Sequence, residues 1–158
     1  MKQALLAVSF GTSVPRARQD IEAVERVLAA GAPERAFCRA YTSPTIRRIL
    51  AERGEPVSGL PEALEALAAA GVEDVAVQPT HLLNGVENDA MIREAEAVRG
   101  RFQSLRIGAP LLTSHEDLEQ MARILTEMFP QLFVRVLFQP AAARPAVADV
   151  QRAVRVHS

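Results

Sequence analysis

Short uninterrupted apolar runs alternate along this chain with stretches in which apolar residues recur at helical spacing. The run ALLAVSF (Ala4–Phe10) is apolar at successive positions, as a parallel strand buried on both faces must be. Gly11-Thr12-Ser13 turns the chain, and Pro15 suits the first turn of a helix, where its missing N–H is no loss. Ile21, Val24, Val27 and Leu28 then fall on one helical stripe, which Gly31 closes. A second strand is predicted in RAFCRAYT (Arg35–Thr42). Ser43-Pro44 follows as an N-cap and first helical residue before TIRRILAERG (Thr45–Gly54).

The same alternation continues. LPEALEALAAAG (Leu60–Gly71) reads as a helix with Leu64 and Leu67 facing inward and Gly71 ending it. VEDVAVQP (Val72–Pro79) is the third strand, VENDAMIREAEAVRGRF (Val86–Phe102) a further helix, and LRIGAPLL (Leu105–Leu112) a short fourth strand. Thr113-Ser114-His115-Glu116-Asp117 is a helix start, with Leu118, Met121, Ile124, Leu125 and Met128 as the apolar stripe behind it. LFVRVLF (Leu132–Phe138) is read as a fifth strand. The expected fold is α/β, a parallel sheet of four to five strands with helices on both faces. Residues 139–158 are Ala, Arg, Val and Pro almost throughout and read as a divergent tail, disordered or a short helix. The chain therefore divides into a half-domain over 1–138 and that tail.

Composition sharpens the picture in a few places. The chain has 158 residues, 49% hydrophobic and 23% charged, which suits one soluble domain with a real core. A formal net charge of -1, with no basic cluster, gives no reason to expect nucleic acid or an anionic membrane as partner. The single cysteine, Cys38, has no intrachain partner and reads as a small packed group in its strand. The amino-terminal apolar run breaks at Gly11, too early for a signal peptide, so cytoplasm is the expected compartment.

In an open parallel sheet, ligands collect where loops leave the carboxyl ends of the strands. Three segments reach that edge: Ser9–Ser13, Tyr41–Ser43 and Pro79–Glu87. The first is rich in small residues and can bring N–H groups to an anion at a helix start. It is not a nucleotide loop, lacking both the Gly-Lys pair and the three-glycine pattern. In the third, His81 and Glu87 are open to more than one reading. His81 is a metal ligand or proton relay, or it caps a loop. Glu87 is a ligand or proton acceptor, or it sits in a first helical turn because the helix dipole favours a carboxylate there. Their spacing matches no metal-ligand signature, so no metal site is assigned.

Taken in order, KQALLAVSFGTS, RAYTSPTIRRIL, LPEALEALAAAGVEDVAVQPTHLLNGVE and GAPLLTSHEDLEQM resemble the amino-terminal half of the anaerobic cobalt chelatases. These are sirohydrochlorin cobaltochelatases of the class II chelatase type. The resemblance spans Lys2 to Phe138 and implies two similar α/β halves facing each other across a tetrapyrrole cleft. It implies insertion of Co2+ into sirohydrochlorin on the route to cobalamin, with Co2+ as substrate and no tightly bound cofactor. It places Phe10, Gly11, Thr12, Ser13, His81 and Glu87 at the substrate, with His81 and Glu87 the candidates for catalysis. In the family the principal histidine lies in a Gly-His-Gly motif opening the second half. Here VRVLF is followed by QPAAARPAVADV, and no such motif appears. By internal symmetry Phe10 stands where the other half carries its motif histidine, and Glu87 where it carries a later one. The expectation is a chelatase half, inactive alone, with an exposed inter-domain face that favours self-association. The alternatives are a half-length homodimeric chelatase and a non-catalytic tetrapyrrole or metal carrier.

Overall fold

A computed structural model describes residues 1–129. Four parallel strands, β1 (Gln3–Ser9), β2 (Ala36–Tyr41), β3 (Asp74–Pro79) and β4 (Ser104–Ile107), form one sheet in the order β2-β1-β3-β4. Five helices accompany them: α1 (Pro15–Gly31), α2 (Pro44–Glu52), α3 (Leu60–Ala69), α4 (Val86–Ala97) and α5 (His115–Met128). The expected α/β architecture is therefore present. The fifth strand at Leu132–Phe138, and the tail with its boundary at 138/139, lie outside the described residues. The chain falls into two compact units, residues 1–111 and a stretch from Leu112 that holds α5.

Strand alternation sorts the core. Ala4, Leu6 and Val8 of β1 turn to the same side as Ala40, Val75, Val77 and Leu105, and pack with Leu60, Leu64 and Leu67 of α3 and Met91 and Ala95 of α4. Leu5 and Ala7 point the other way and are buried as well. On that face lies α1, whose Glu25 accepts a hydrogen bond from Arg39 of β2 at 2.5 Å. Helices thus cover both faces, and β1 is apolar throughout because neither of its sides meets water.

Local details depart from the sequence pattern where side chains intervene. Of the stripe expected to bury α1, Ile21 and Leu28 are half-buried but Val24 and Val27 are 49% and 72% exposed, and the buried residue of the helix is Glu25. Arg39 explains this, since a cation on the sheet face draws the carboxylate beneath the helix, where it needs a partner. The helix expected to reach Phe102 ends at Ala97, and Arg99–Arg101 form a 3-10 turn in which Arg99 bonds Glu96 and the carbonyl of Leu105. The fourth strand stops at Ile107, although Gly108 N–H still donates to Val77 at 2.8 Å before Pro110 breaks the ladder. Within the second unit, Ser114 and Asp117 cap α5 reciprocally.

At the amino ends of the strands one carboxylate gathers three neighbours. Asp74, which opens β3, accepts from Arg35 at 2.6 Å, Arg106 at 2.9 Å and Gln3 at 3.2 Å. These hydrogen bonds, Arg35's first, hold its carboxyl below the usual aspartate range. A depressed folded value means stability that is complete above the unfolded value, near pH 3.9, and lost as pH falls through the folded one. Asp74→Asn is expected to cost about 2 kcal/mol at pH 7. In urea unfolding from pH 7 to pH 2, the gap between wild type and variant should close below about pH 4. A gap independent of pH would rule out the ionised clamp.

At the carboxyl end of β1, Gly11 adopts φ +93°, and a Cβ there would stand 2.5 Å from Cδ2 of the fully buried Tyr41. Gly11→Ala combines left-handed strain with overpacking and should cost roughly 3 kcal/mol, read as a lower urea midpoint with unchanged slope.

Candidate functional site

The sheet order fixes where a site can form. β1 continues into α1 on one face, whereas β3, its direct neighbour, continues into α4 on the other. Adjacent parallel strands whose connections leave on opposite faces open a crevice at their carboxyl ends. Such a cleft is present, about 490 Å³ in volume, of the size that takes a small organic ligand. Ser9, Phe10 and Gly11 line it from β1, and Ile21 from α1. Thr80 to Leu83 line it from the end of β3, and Gly85 to Asn88 from the start of α4.

Its floor is held by the strand ends. Thr80 Oγ1 donates to Ser9 Oγ at 2.8 Å, and Thr80 N–H donates to Val8 at 2.9 Å. On the β2 side, Thr42 N–H donates to Ser9 at 2.8 Å and Ser43 N–H to Phe10 at 3.2 Å. The rim is apolar: Phe10, Leu82, Leu83 and Val86 are 49%, 59%, 59% and 81% exposed. An exposed apolar patch of this kind marks a surface that a ligand or further protein covers.

Two of the candidate residues bring polar chemistry to that cleft. His81 is tethered through its carbonyl, which accepts from Leu111 N–H at 3.1 Å. Both its ring nitrogens are buried and have no hydrogen-bond partner among the described residues. Glu87 lies in the first turn of α4, exposed and outside the ion pairs of the described residues. The fold brings Phe10, Gly11, His81 and Glu87 to one place. Thr12 and Ser13 lie outside the lining. Thr12 Oγ1 accepts from Val14 N–H at 3.1 Å and the Ser13 carbonyl accepts from Arg53 at 2.6 Å, so both serve the turn into α1.

Sequence reasoning passed over the Ser9–Thr80 hydroxyl pair, Ile21 and Asn88. Asn88 reads as one more polar residue of a helix start, yet it is 2% exposed, and its Oδ1 has no partner among the described residues. Only its burial sets it apart. Other titratable groups nearby are structural. Burial pushes the Cys38 thiol up, away from thiolate chemistry. Burial likewise raises Tyr41, whose ring supports Gly11, and Glu25, where Arg39 offsets only part of the effect. Among the described residues no three His, Cys, Asp or Glu side chains converge as a metal cage. Nor is any described helix long and apolar enough to cross a membrane.

Comparison with known proteins gives this cleft its context. Residues 3–137 match the family model described as Cobalt chelatase (CbiK). Over 134 residues the chain is 44% identical to the sirohydrochlorin cobaltochelatase of Salmonella typhimurium, covering 84% of this chain and 51% of that protein. It is 27% identical over 131 residues to the sirohydrochlorin cobaltochelatase CbiKC of Nitratidesulfovibrio vulgaris, covering 82% and 46%. The chain spans about half the length of these curated relatives. With the family model matched over most of its length and the crevice at the switch point of its sheet, the chain belongs to the cobalt chelatase (CbiK) family.

Proposed function

We propose that residues 1–111 form one wall of a tetrapyrrole cleft in which sirohydrochlorin exchanges two pyrrole protons for Co2+. The observation that carries this reading is a cleft with an apolar rim, an exposed carboxylate and an imidazole that has no hydrogen-bond partner among the described residues, in a chain of this family. Metal insertion makes demands that these groups meet. The macrocycle is flat and apolar over its faces, and Phe10, Leu82, Leu83 and Val86 offer contact of that kind. Each pyrrole N–H must give up its proton as a nitrogen–metal bond forms, so a base has to stand near the ring. Glu87 is the acceptor we assign, with the His81 imidazole beside the same ligand. Co2+ enters as substrate and loses water as the ring nitrogens replace it.

No metal cage exists among the described residues, so this wall does not hold Co2+ by itself. Further ligands come from a facing wall, and the exposed rim is the surface such a wall would cover. Whether the facing wall is another part of one polypeptide or a second copy, the wall described here contributes the same groups. A bare carrier would bind the tetrapyrrole equally well and leave Glu87 without a task.

Titration of the purified chain with sirohydrochlorin under anaerobic conditions should give a saturable absorbance change at one ligand per cleft. An unchanged spectrum at ligand excess would reject the tetrapyrrole. Glu87→Gln should leave that binding within about twofold while slowing Co2+ insertion on the order of a hundredfold. Insertion at the wild-type rate in the variant would remove Glu87 from the proton-accepting role.

A further inference from the structure

We propose that Asn84 is a self-modification site at the cleft rim. The backbone nitrogen of Gly85 attacks its side-chain amide and expels ammonia, and water then leaves an aspartyl or isoaspartyl residue at position 84. The reaction asks nothing of a bound ligand, so it stands or falls apart from the tetrapyrrole reading.

The chain has two asparagines, Asn84 and Asn88, and the fold treats them in opposite ways. Asn84 is exposed in the bend between β3 and α4, and Gly85 follows it. The space around Gly85 is open: even a Cβ there would meet nothing within 4 Å. The Gly85 carbonyl accepts from Asp89 N–H at 2.9 Å, whereas the Gly85 N–H donates to no group among the described residues. With no Cβ to crowd its approach and wide backbone freedom, that nitrogen is a nucleophile within reach of the preceding side chain. The electrophile is prepared as well. Asn88 Nδ2 donates to Asn84 Oδ1 at 3.3 Å. A donor on that oxygen draws electron density from Cγ and stabilises the charge that collects on Oδ1 during attack. Asn88 has none of these features. It is 2% exposed within α4, and the nitrogen that would attack it, that of Asp89, is committed to the Gly85 carbonyl.

The steps balance without a redox partner. The Gly85 nitrogen gives its proton to solvent base and bonds to Cγ of Asn84. The Cγ–Nδ2 bond breaks, Nδ2 takes a proton from solvent and leaves as ammonia, and a five-membered succinimide remains. Water opens that ring at either carbonyl. Opening at Cγ gives an aspartyl residue in an unchanged backbone. Opening at the backbone carbonyl routes the chain through the side chain and inserts a methylene ahead of α4. In sum one water enters and one ammonia departs. Either product adds a carboxylate beside Glu87 and Asp89, between Leu83 and Gly85 of the cleft lining. The aspartyl form keeps an acceptor for Asn88 Nδ2, and the isoaspartyl form displaces the loop that carries Leu82 and Leu83.

Incubated folded in mildly alkaline buffer, the full chain should gain about one dalton as an amide becomes an acid. The tryptic peptide from Gly54 to Arg93 should then resolve into two new products, one coeluting with the same peptide from an Asn84→Asp chain. Fragmentation should place the change at residue 84 and leave residue 88 an asparagine. Loss of the original peptide should run within about threefold of its rate in the isolated peptide, because an exposed bend opposes ring closure little. Gly85→Ala, which the open space accommodates, should retain the circular dichroism of the wild type and slow the reaction on the order of tenfold. Asn84 left intact in the folded chain while the isolated peptide reacts would overturn the proposal. So would equal rates in Gly85→Ala and wild type, or a change that appears first at Asn88.

Discussion

β1 is paired along its length on both sides, to β2 as far as Ser9 and Tyr41 and to β3 as far as Val8 and Pro79, and the site follows from that double pairing. A parallel strand must be left by a crossover, and crossovers are right-handed. From β1 the chain moves outward to β2 through α1. The longer connection through α2 and α3 then returns past β1 to β3 on its other side. Two moves in opposite directions put their helices on opposite faces. The ends of β1 and β3 are left without a helix over the gap between them, and the cleft lies in that gap.

The two ends of the sheet treat their polar groups differently. At the amino ends Asp74 is surrounded by donors from Gln3, Arg35 and Arg106, and its carboxylate is well satisfied. Toward the carboxyl ends the buried hydroxyls of Tyr41 and Thr42, the nitrogens of His81 and Oδ1 of Asn88 all lack partners among the described residues. Folding alone gives no reason to leave them so, because each is a loss against a satisfied or apolar alternative. Sites depart from the rules that govern the rest of a fold, and this edge departs from them in several residues together. The hydroxyl bond from Thr80 to Ser9 shows that the same edge closes its hydrogen bonds where a strand end has to be fixed.

Much of this was legible in the amino-acid pattern, and the failures share a cause. Ala4–Phe10, Val72–Pro79 and the Gly-bounded helix at Leu60 are decided by local periodicity and turn chemistry, so the expected bounds fall within two residues of the observed Gln3–Ser9, Asp74–Pro79 and Leu60–Ala69. Gathering Phe10, Gly11, His81 and Glu87 at one edge required only the rule for parallel sheets. What the pattern missed depends on contacts between distant residues. The burial of Glu25 in place of Val24 and Val27 is set by Arg39, on another element. Thr12 and Ser13 lie outside the cleft lining, and their contacts to Val14 and Arg53 in the turn join residues that no local pattern relates. Asn88 was invisible because polar residues at a helix start are ordinary, and burial is not a property of a residue type.

The role proposed for Glu87 sets two demands on the first turn of α4 that conflict when one residue meets both. A proton acceptor must keep its basicity, and a helix start must find acceptors for its N–H groups. Asp117 at the start of α5 shows what happens when a carboxylate does the capping. It accepts from the backbone N–H groups of Ser114 and Thr113 and is drawn down to about 2. A carboxylate held that way is a poorer proton acceptor than one outside such bonds. Glu87 sits in the corresponding turn of α4 and makes no such bonds among the described residues, and the cap position there is Gly85, with no side chain to cap. Successive helical residues point about 100° apart, so Glu87 stays in solvent while Asn88 turns into the floor.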